Sequence, residues 1–129
     1  MPGASNYLEN AVLNHVLRAT TYTAPSSVWI GLHTGTGPDE TGNVFEVAGN
    51  NYTRTGAFFG ASTTGGATNT GVITFPTPSA TWGIVTSWGL FDAATAGNLL
   101  YLGALNNSKT INVDDSVTFQ SGSLGIYLD

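Results

Sequence analysis

The spacing of apolar residues changes once along this chain, near Ser27, and that change limits the fold more than any other feature. Before it, Leu8, Val12 and Val16 recur at the i, i+4 and i+8 positions of an amphipathic helix. After it, apolar and polar residues alternate, as expected for a strand with one covered face. We therefore predict one N-terminal α-helix at about residues 6–19, followed by β-sheet from about residue 27 to 129.

The helix has recognisable ends. Asn6 and Glu9, three residues apart, form a candidate capping box. Arg18 lies in the last turn, where a cation suits the helix dipole. The apolar stripe is wide, because Leu13 and Leu17 lie beside the main row. We expect this helix to pack against a large surface.

The alternating pattern recurs in short runs bounded by Gly, Asn, Asp, Ser or Pro, which is typical of strands. The runs are "SVWIGLHTG", "GVITFP", "GIVTSWGLFD", "NLLYLGAL", "KTINVDD" and "SVTFQSGSLGIYLD". In the first run, Ile30 and Leu32 belong to the core face, and His33 belongs to an exposed or edge position. A length of 129 residues suits one domain. The sequence thus predicts a single mainly β domain, residues 1–129, built as an antiparallel β-sandwich or jelly-roll-like fold.

Composition excludes several partners and sites. Only three Lys or Arg residues oppose eight Asp or Glu residues, so the chain lacks the basic cluster that binds a phosphate backbone. We expect no nucleic acid partner. The absence of cysteine removes disulfides and thiolate metal sites. No signal peptide or long apolar run is evident, so we expect a protein that is made in the cytoplasm and has no membrane partner.

Candidate catalytic groups are few. His15 and His33 are the two histidines, and no G-x-S-x-G elbow surrounds a serine. The acid pairs 39–40 and 114–115 could flank a sugar or bind calcium. Both pairs occupy turn positions, where Asp usually accepts backbone hydrogen bonds. We predict no enzyme, no metal and no cofactor, unless the fold brings His33 beside an acid pair in a cleft.

Asp92, like the acid pairs, could have either a catalytic or a turn-forming role. It follows the alternating run "IVTSWGLF" and precedes "AATAGN". We predict that its carboxylate accepts backbone hydrogen bonds in a turn, where Gly97 supplies a positive φ.

The aromatic side chains leave two interpretations open. They could stack on a sugar, as in a binding module, or they could pack in the core. The residues concerned are Trp29, Tyr52, Trp82, Trp88 and Tyr101.

Two loops rich in Gly, Thr and Asn, residues 36–51 and 62–70, have too few apolar side chains to fold alone. Loops of this length often carry interactions. We predict contact residues in these loops and at the helix start. They are Asn6, Tyr7, Gly37, Pro38, Asp39, Glu40, Asn43, Asn50, Thr63 and Thr64.

The order of several blocks resembles a family of small virion proteins of tailed bacteriophages, whose members are often labelled tail fibre proteins. The blocks are "SNYLENAVLNHVLR", "VWIGLHT", "EVAGNNYTR", "ITFPTPSATWG", "WGLFDAATAGNLLYLGAL" and "FQSGSLGIYLD". They cover nearly the whole chain. The resemblance implies a structural, non-enzymatic protein of the phage particle, and it carries no catalytic residues.

Within that class, a compact domain without a stalk or repeats favours capsid decoration. We predict a cement protein on the outer capsid surface, in which homo-trimers clamp neighbouring subunits of the major capsid protein. The alternative is a tail fibre or tail-tip component that binds a host surface carbohydrate. Copy number separates them, since decoration requires hundreds of copies per particle and a tail component only a few.

Overall fold

The computed structural model of the chain describes residues 3–128. Within them lie one helix and nine strands. They are β1 Gly3–Ala4, α1 Asn6–Arg18, β2 Val28–Thr34, β3 Thr55–Ala57, β4 Gly66–Thr68, β5 Ile73–Thr74, β6 Gly83–Phe91, β7 Leu99–Ile111, β8 Thr118–Phe119 and β9 Gly125–Tyr127. All strand pairs are antiparallel. The predicted class, mainly β and antiparallel with one N-terminal helix, is confirmed.

The strands form one large sheet and two ribbons. The sheet has the order β1-β7-β6-β2-β3, and the ribbons are β4-β9 and β5-β8. Two of the predicted runs, "NLLYLGAL" and "KTINVDD", supply the two ends of the single strand β7, whose pairing with β6 is irregular between Val85 and Ser87. The last predicted run divides instead into β8 and β9.

The main core joins one face of the sheet to the ribbons. Ile30 and Leu32, predicted as core residues from their alternation, are 0% and 1% exposed. Apolar side chains from the sheet, the ribbons and the connecting segments complete this cluster, among them Ile73, Phe75, Trp82, Val85, Trp88, Leu90 and Leu124.

The opposite face of the sheet is covered as well. Phe91, Leu99 and Leu102 form a smaller buried cluster there. His33 lies on this face at 0% exposure, and its ring stacks on Phe91 with a centroid distance of 5.8 Å. The prediction of an exposed or edge position for His33 is therefore wrong. The loop that follows β2 returns alongside it, where Glu46 forms an antiparallel bridge with His33. The Glu46 side chain then lies over Gly31 and helps to cover this face of β2.

Two glycines make room for this second layer. A Cβ at Gly31 would lie 2.7 Å from Oε2 of Glu46 and 2.9 Å from the hydroxyl of Tyr52. A Cβ at Gly89 would lie 3.0 Å from Cε1 of His33. Neither glycine has a positive φ, so close approach of side chains, rather than backbone freedom, requires the missing Cβ.

The N-cap residue of helix α1 is Ser5, one residue before the predicted Asn6. The Oγ of Ser5 accepts a hydrogen bond from the Leu8 N–H at 3.2 Å. The same Oγ donates to the carbonyl of Leu99 at 2.5 Å. Ser5 thereby caps the N-terminus of the helix and fixes its first turn to β7.

Asp92 has the predicted architectural role. Its carboxylate accepts hydrogen bonds from the backbone N–H of Asn98 at 2.7 Å and from the Asn98 side chain at 2.9 Å. Gly97 has a φ of 70°, and a Cβ there would lie 2.5 Å from Oδ1 of Asp92. The Asp92 carboxylate therefore closes the turn between β6 and β7.

Candidate functional site

Two features of the fold could carry function: a buried polar cluster beneath the loop after β2, and an apolar surface around α1. The buried polar cluster consists of His33, Glu46, Tyr52 and Arg54 together with Asn43, which is exposed and lies at its outer side. It is the place to look for chemistry, because it combines a histidine, a carboxylate and a cation.

Glu46 is the centre of the buried polar cluster. Arg54 donates to both of its carboxylate oxygens, from Nε at 2.8 Å and from Nη2 at 2.9 Å. The Tyr52 hydroxyl donates to Oε2 at 2.7 Å, and Nδ2 of Asn43 donates to Oε1 at 2.9 Å. On the far side of Asn43, Nε2 of His33 lies 2.7 Å from Oδ1. The five side chains are thus joined in one continuous network.

Arg54 also ties the cluster to the loop after β6. Its Nη1 donates to the carbonyls of Ala93 at 2.9 Å and Ala96 at 2.8 Å. The guanidinium carbon lies 3.6 Å from the ring centroid of Phe91. The Arg54 side chain is only 6% exposed, and the Glu46 side chain 16%. One cation therefore joins three segments of the chain.

The charge states in the cluster are fixed by these contacts. Burial alone would raise the pKa of Glu46, but hydrogen bonds from Arg54 and two other side chains lower it overall. Burial lowers the pKa of His33, so its ring is neutral at pH 7. Burial and the adjacent Glu46 carboxylate raise the pKa of Tyr52. The cluster holds a charged carboxylate and a charged guanidinium that neutralise each other.

The polar atoms of this cluster are mostly committed to one another. His33 is fully buried, and among residues 3–128 its ring nitrogens contact no hydroxyl group, since Nε2 faces Asn43 and Nδ1 has no partner there. A depression of about 310 Å³ reaches Glu46 and Arg54, but their polar atoms are already paired. The buried polar cluster therefore fixes the loop to the sheet.

The acid pairs stand apart from this cluster, in turns. Oδ1 of Asp39 accepts hydrogen bonds from the N–H and the hydroxyl of Thr41, and these lower the pKa of Asp39. Oδ2 of Asp115 accepts from the N–H of Asn112 at 2.7 Å, and Asp114 has a φ of 66°. Among residues 3–128, no three acid or histidine side chains converge as metal ligands would.

The aromatic residues that could stack on a sugar mostly pack inside the protein. Trp82 and Trp88 are each 6% exposed, and Tyr101 is 3% exposed. Trp29 is half-buried, and the hydroxyl of Tyr52 belongs to the polar cluster. These side chains are committed to the fold.

The predicted contact residues fall into different environments. Gly37 and Pro38 are buried, so they offer no side-chain surface to a partner. The other eight are exposed, namely Asn6, Tyr7, Asp39, Glu40, Asn43, Asn50, Thr63 and Thr64. The structure brings the helix start and the first loop together, since the Asn6 N–H donates to the Glu40 carbonyl at 2.8 Å. The side chain of Asn43, however, already forms hydrogen bonds within the polar cluster.

Helix α1 carries the second candidate feature. None of its residues is buried, against the expectation that the helix packs on a large surface. Leu13, Val16 and Leu17 are 54%, 69% and 73% exposed. The described part of the chain thus leaves the outer side of this helix uncovered.

A groove lies beside these residues, between α1 and the nearby edge of the sheet. Its volume is about 530 Å³, and Leu8, Val12 and Leu13 form its helical wall. Tyr127 and Leu128, which are 56% and 53% exposed, line it from the β9 side. We call the groove together with Leu13, Val16 and Leu17 the α1 surface.

The apolar stripe of α1 was predicted to pack against a large surface, and the described part of the chain does not supply that surface. The distribution of formal charge along α1 indicates that this helix is suited to burial. Residues 10–17 carry no formal charge, whereas Glu9 and Arg18 stand at the two ends of the helix. A helical segment free of formal charge is suited to burial, and the described residues of the chain do not bury it.

Within residues 3–128, no helix is long and apolar enough to cross a membrane. No curated protein matches the chain. A family model described as Podophage GP4 fiber I protein gp80 matches residues 3–127. The match covers nearly the whole chain, in agreement with the resemblance to phage virion proteins. The chain belongs to the family of Podophage GP4 fiber I protein gp80, a family of structural phage fibre proteins.

Proposed function

We propose that this chain is a non-enzymatic structural subunit of a phage fibre and that it attaches to the particle through the α1 surface. The observation that supports this is the exposure of Leu13, Val16 and Leu17 in a chain that covers both faces of its sheet. Contiguous exposed apolar surface on a folded domain marks interaction sites. The family description supports the fibre as the place of attachment.

Burial of the α1 surface contributes a few kcal/mol of binding energy for each copy. Full burial of a Val or Leu side chain stabilises by about 1.5–3 kcal/mol, so burying the exposed parts of these three contributes about 3–6 kcal/mol. Contacts of this strength add up when many copies act together in one particle.

Replacing apolar residues of the α1 surface tests the proposal. We expect the double variant Val16→Gln, Leu17→Gln to be incorporated poorly into particles, because Gln preserves helix propensity but removes the apolar contact. The matched control is Phe58→Gln, Val72→Gln, at positions that are 79% and 57% exposed. The measurement is the amount of this protein in purified particles, with urea unfolding to show that both variants fold. Equal incorporation of the two variants would contradict the proposal.

A second candidate function is decoration of the capsid. In this proposal homo-trimers on the outer capsid surface clamp neighbouring subunits of the major capsid protein, and the exposed loop residues make the contacts. It is favoured by the architecture of residues 3–128, in which one sheet and two ribbons pack together rather than forming a repetitive shaft. Counting copies per particle distinguishes the two, since hundreds would favour the capsid and a few would favour the fibre. Gold-labelled antibodies against the protein would show its position on the particle.

Carbohydrate binding by a fibre would need accessible aromatic side chains. Because Trp82, Trp88 and Tyr101 are buried, a sugar would have to contact the half-buried Trp29 or an exposed side chain such as Tyr127.

A further inference from the structure

We propose that residues 39–45 form a flap that the neutral His33 ring holds closed and that opens when this ring takes up a second proton. All residues of the flap are exposed or half-buried. Val44 and Phe45 are 40% and 57% exposed, so little apolar burial holds the flap in place. The flap operates whether or not α1 attaches the subunit to a fibre, and it therefore goes beyond the proposed function.

The hydrogen bonds of Asn43 fix which nitrogen of His33 carries the hydrogen. A carboxylate only accepts hydrogen bonds, so the Asn43 side chain must direct Nδ2 to Glu46, at 2.9 Å, and Oδ1 to the ring. Nε2 of His33 lies 2.7 Å from that oxygen and must donate to it. The neutral ring thus carries its hydrogen on Nε2, and Nδ1 is the atom that a second proton has to reach.

The closed flap does not accommodate a proton on Nδ1. His33 is 0% exposed, and among residues 3–128 its Nδ1 has no hydrogen-bonding partner. A proton there would create a buried, charged donor without an acceptor, which is far more costly than the same group in water. Burial accordingly lowers the pKa of His33.

The charged groups that face His33 do not compensate for this cost. Glu46 favours the protonated ring and Arg54 opposes it. Both oxygens of Glu46 already accept hydrogen bonds from Arg54, and Tyr52, whose pKa is raised, stays neutral while it donates to the same carboxylate. The Phe91 ring, on which His33 stacks, already has the Arg54 guanidinium over it. A second cation therefore gains little from these neighbours.

Opening of the flap removes the conflict and also affects α1. Once Asn43 leaves the ring, both ring nitrogens can donate to water, so the open state gains population as the pH falls below about 6.5, the ordinary pKa of histidine. The carboxylates of the flap, on Asp39 and Glu40, are already exposed. The Glu40 carbonyl accepts a hydrogen bond from the Asn6 N–H at 2.8 Å. Acid should therefore loosen the start of α1 together with the flap.

Amide hydrogen exchange of the full chain, followed by nuclear magnetic resonance, tests the flap. The N–H groups of Asn6 and Thr34 both donate to flap carbonyls and report its opening, whereas those of Phe75 and Trp82 donate elsewhere and report the core. Protection is compared at pH 7.5 and pH 5 after correction for the intrinsic exchange rate. If only the open state takes up the proton, we expect protection at Asn6 and Thr34 to fall by about thirtyfold.

Two variants identify the group that takes up the proton. His33→Gln keeps an amide donor toward Asn43 but cannot titrate, so the pH dependence at Asn6 and Thr34 should disappear. His15→Gln, at an exposed histidine of α1, is the matched control and should retain it. Asn43→Ala removes the contact with the ring from an exposed position, so protection at Thr34 should already be lower at pH 7.5.

The outcomes are distinct. A nitrogen-15 correlation spectrum that shows the hydrogen on Nε2 of His33 at pH 7.5, together with selective loss of protection at Asn6 and Thr34 at pH 5, supports the flap. A hydrogen on Nδ1, an equal loss at Phe75 and Trp82, no loss at all, or a pH dependence that persists in His33→Gln overturns it. If His33→Gln does not fold, unchanged protection at Thr34 in Asn43→Ala overturns it.

Discussion

Replacement of Arg54 by Met should destabilise this protein more than replacement of any exposed charge. Met preserves an unbranched apolar side chain of similar length, so the change mainly removes the guanidinium. That group makes two hydrogen bonds to Glu46 and two to the carbonyls of Ala93 and Ala96. It also packs over the ring of Phe91.

The magnitude follows from burial. With the Arg54 side chain 6% exposed and the Glu46 side chain 16% exposed, removing the cation leaves a carboxylate that is poorly hydrated and uncompensated. Breaking a buried ion pair in this way costs about 3–5 kcal/mol. A domain of this kind is stable by about 5–15 kcal/mol, so the variant should lose a large part of its free energy of unfolding.

Urea unfolding at pH 7, followed by tryptophan fluorescence, measures the loss. Arg18→Met, at an exposed position in the last turn of α1, is the matched control and should change stability by less than about 0.5 kcal/mol. The double variant Glu46→Gln, Arg54→Met should be less destabilised than the sum of the single changes, because each single change leaves one buried charge unpaired and the double variant leaves none. A loss below about 1 kcal/mol in Arg54→Met would refute the importance of the pair.

Three further predictions concern the same fold. Because burial lowers the pKa of His33, the unfolded chain takes up a proton first as the pH falls below about 6.5, so unfolding free energy should decline between pH 7.5 and 5. His33→Gln should reduce that decline and the exposed His15→Gln should not; equal pH profiles would contradict this. Gly31→Ala should cost about 1–3 kcal/mol by crowding the polar cluster, whereas Gly71→Ala, with open space around it, should not; similar unfolding midpoints would refute the steric argument. Ser5→Ala should lower the unfolding free energy by about 1–2 kcal/mol, because the helix loses its cap and its bond to β7; an unchanged urea midpoint would show that the cap is dispensable.

Much of the fold could be predicted from local patterns. The alternation around Ile30 and Leu32 identified the core face of β2, because successive side chains in a strand point to opposite sides. Asp92 was assigned to a turn correctly because its partners, Asn98 and Gly97, lie within six residues. Features whose interacting residues are near in sequence could therefore be predicted.

The buried polar cluster could not be predicted from the sequence, because its members come together only after the loop folds back. His33 and Glu46 are thirteen positions apart, and Arg54 is eight further on. Only Gly31 gave a local indication, since a glycine within a strand can mark the close approach of another segment. Its neighbour across the sheet is Gly89, and this pairing is set by strand register, which alternation alone does not specify.

The apolar stripe of α1 shows a different limit of sequence reasoning. Periodicity indicates which side of a helix avoids water, but the surface that covers it can belong to the same chain or to another. In this fold the ribbons cover one face of the sheet and the loop containing Glu46 covers part of the other, so neither is left for α1. Ser5 holds the first turn against β7, while Val16 and Leu17 at the other end remain exposed. A helix anchored at one end and uncovered at the other is well placed to meet a second molecule without any rearrangement of the domain, and this is why we propose α1 as the surface of assembly.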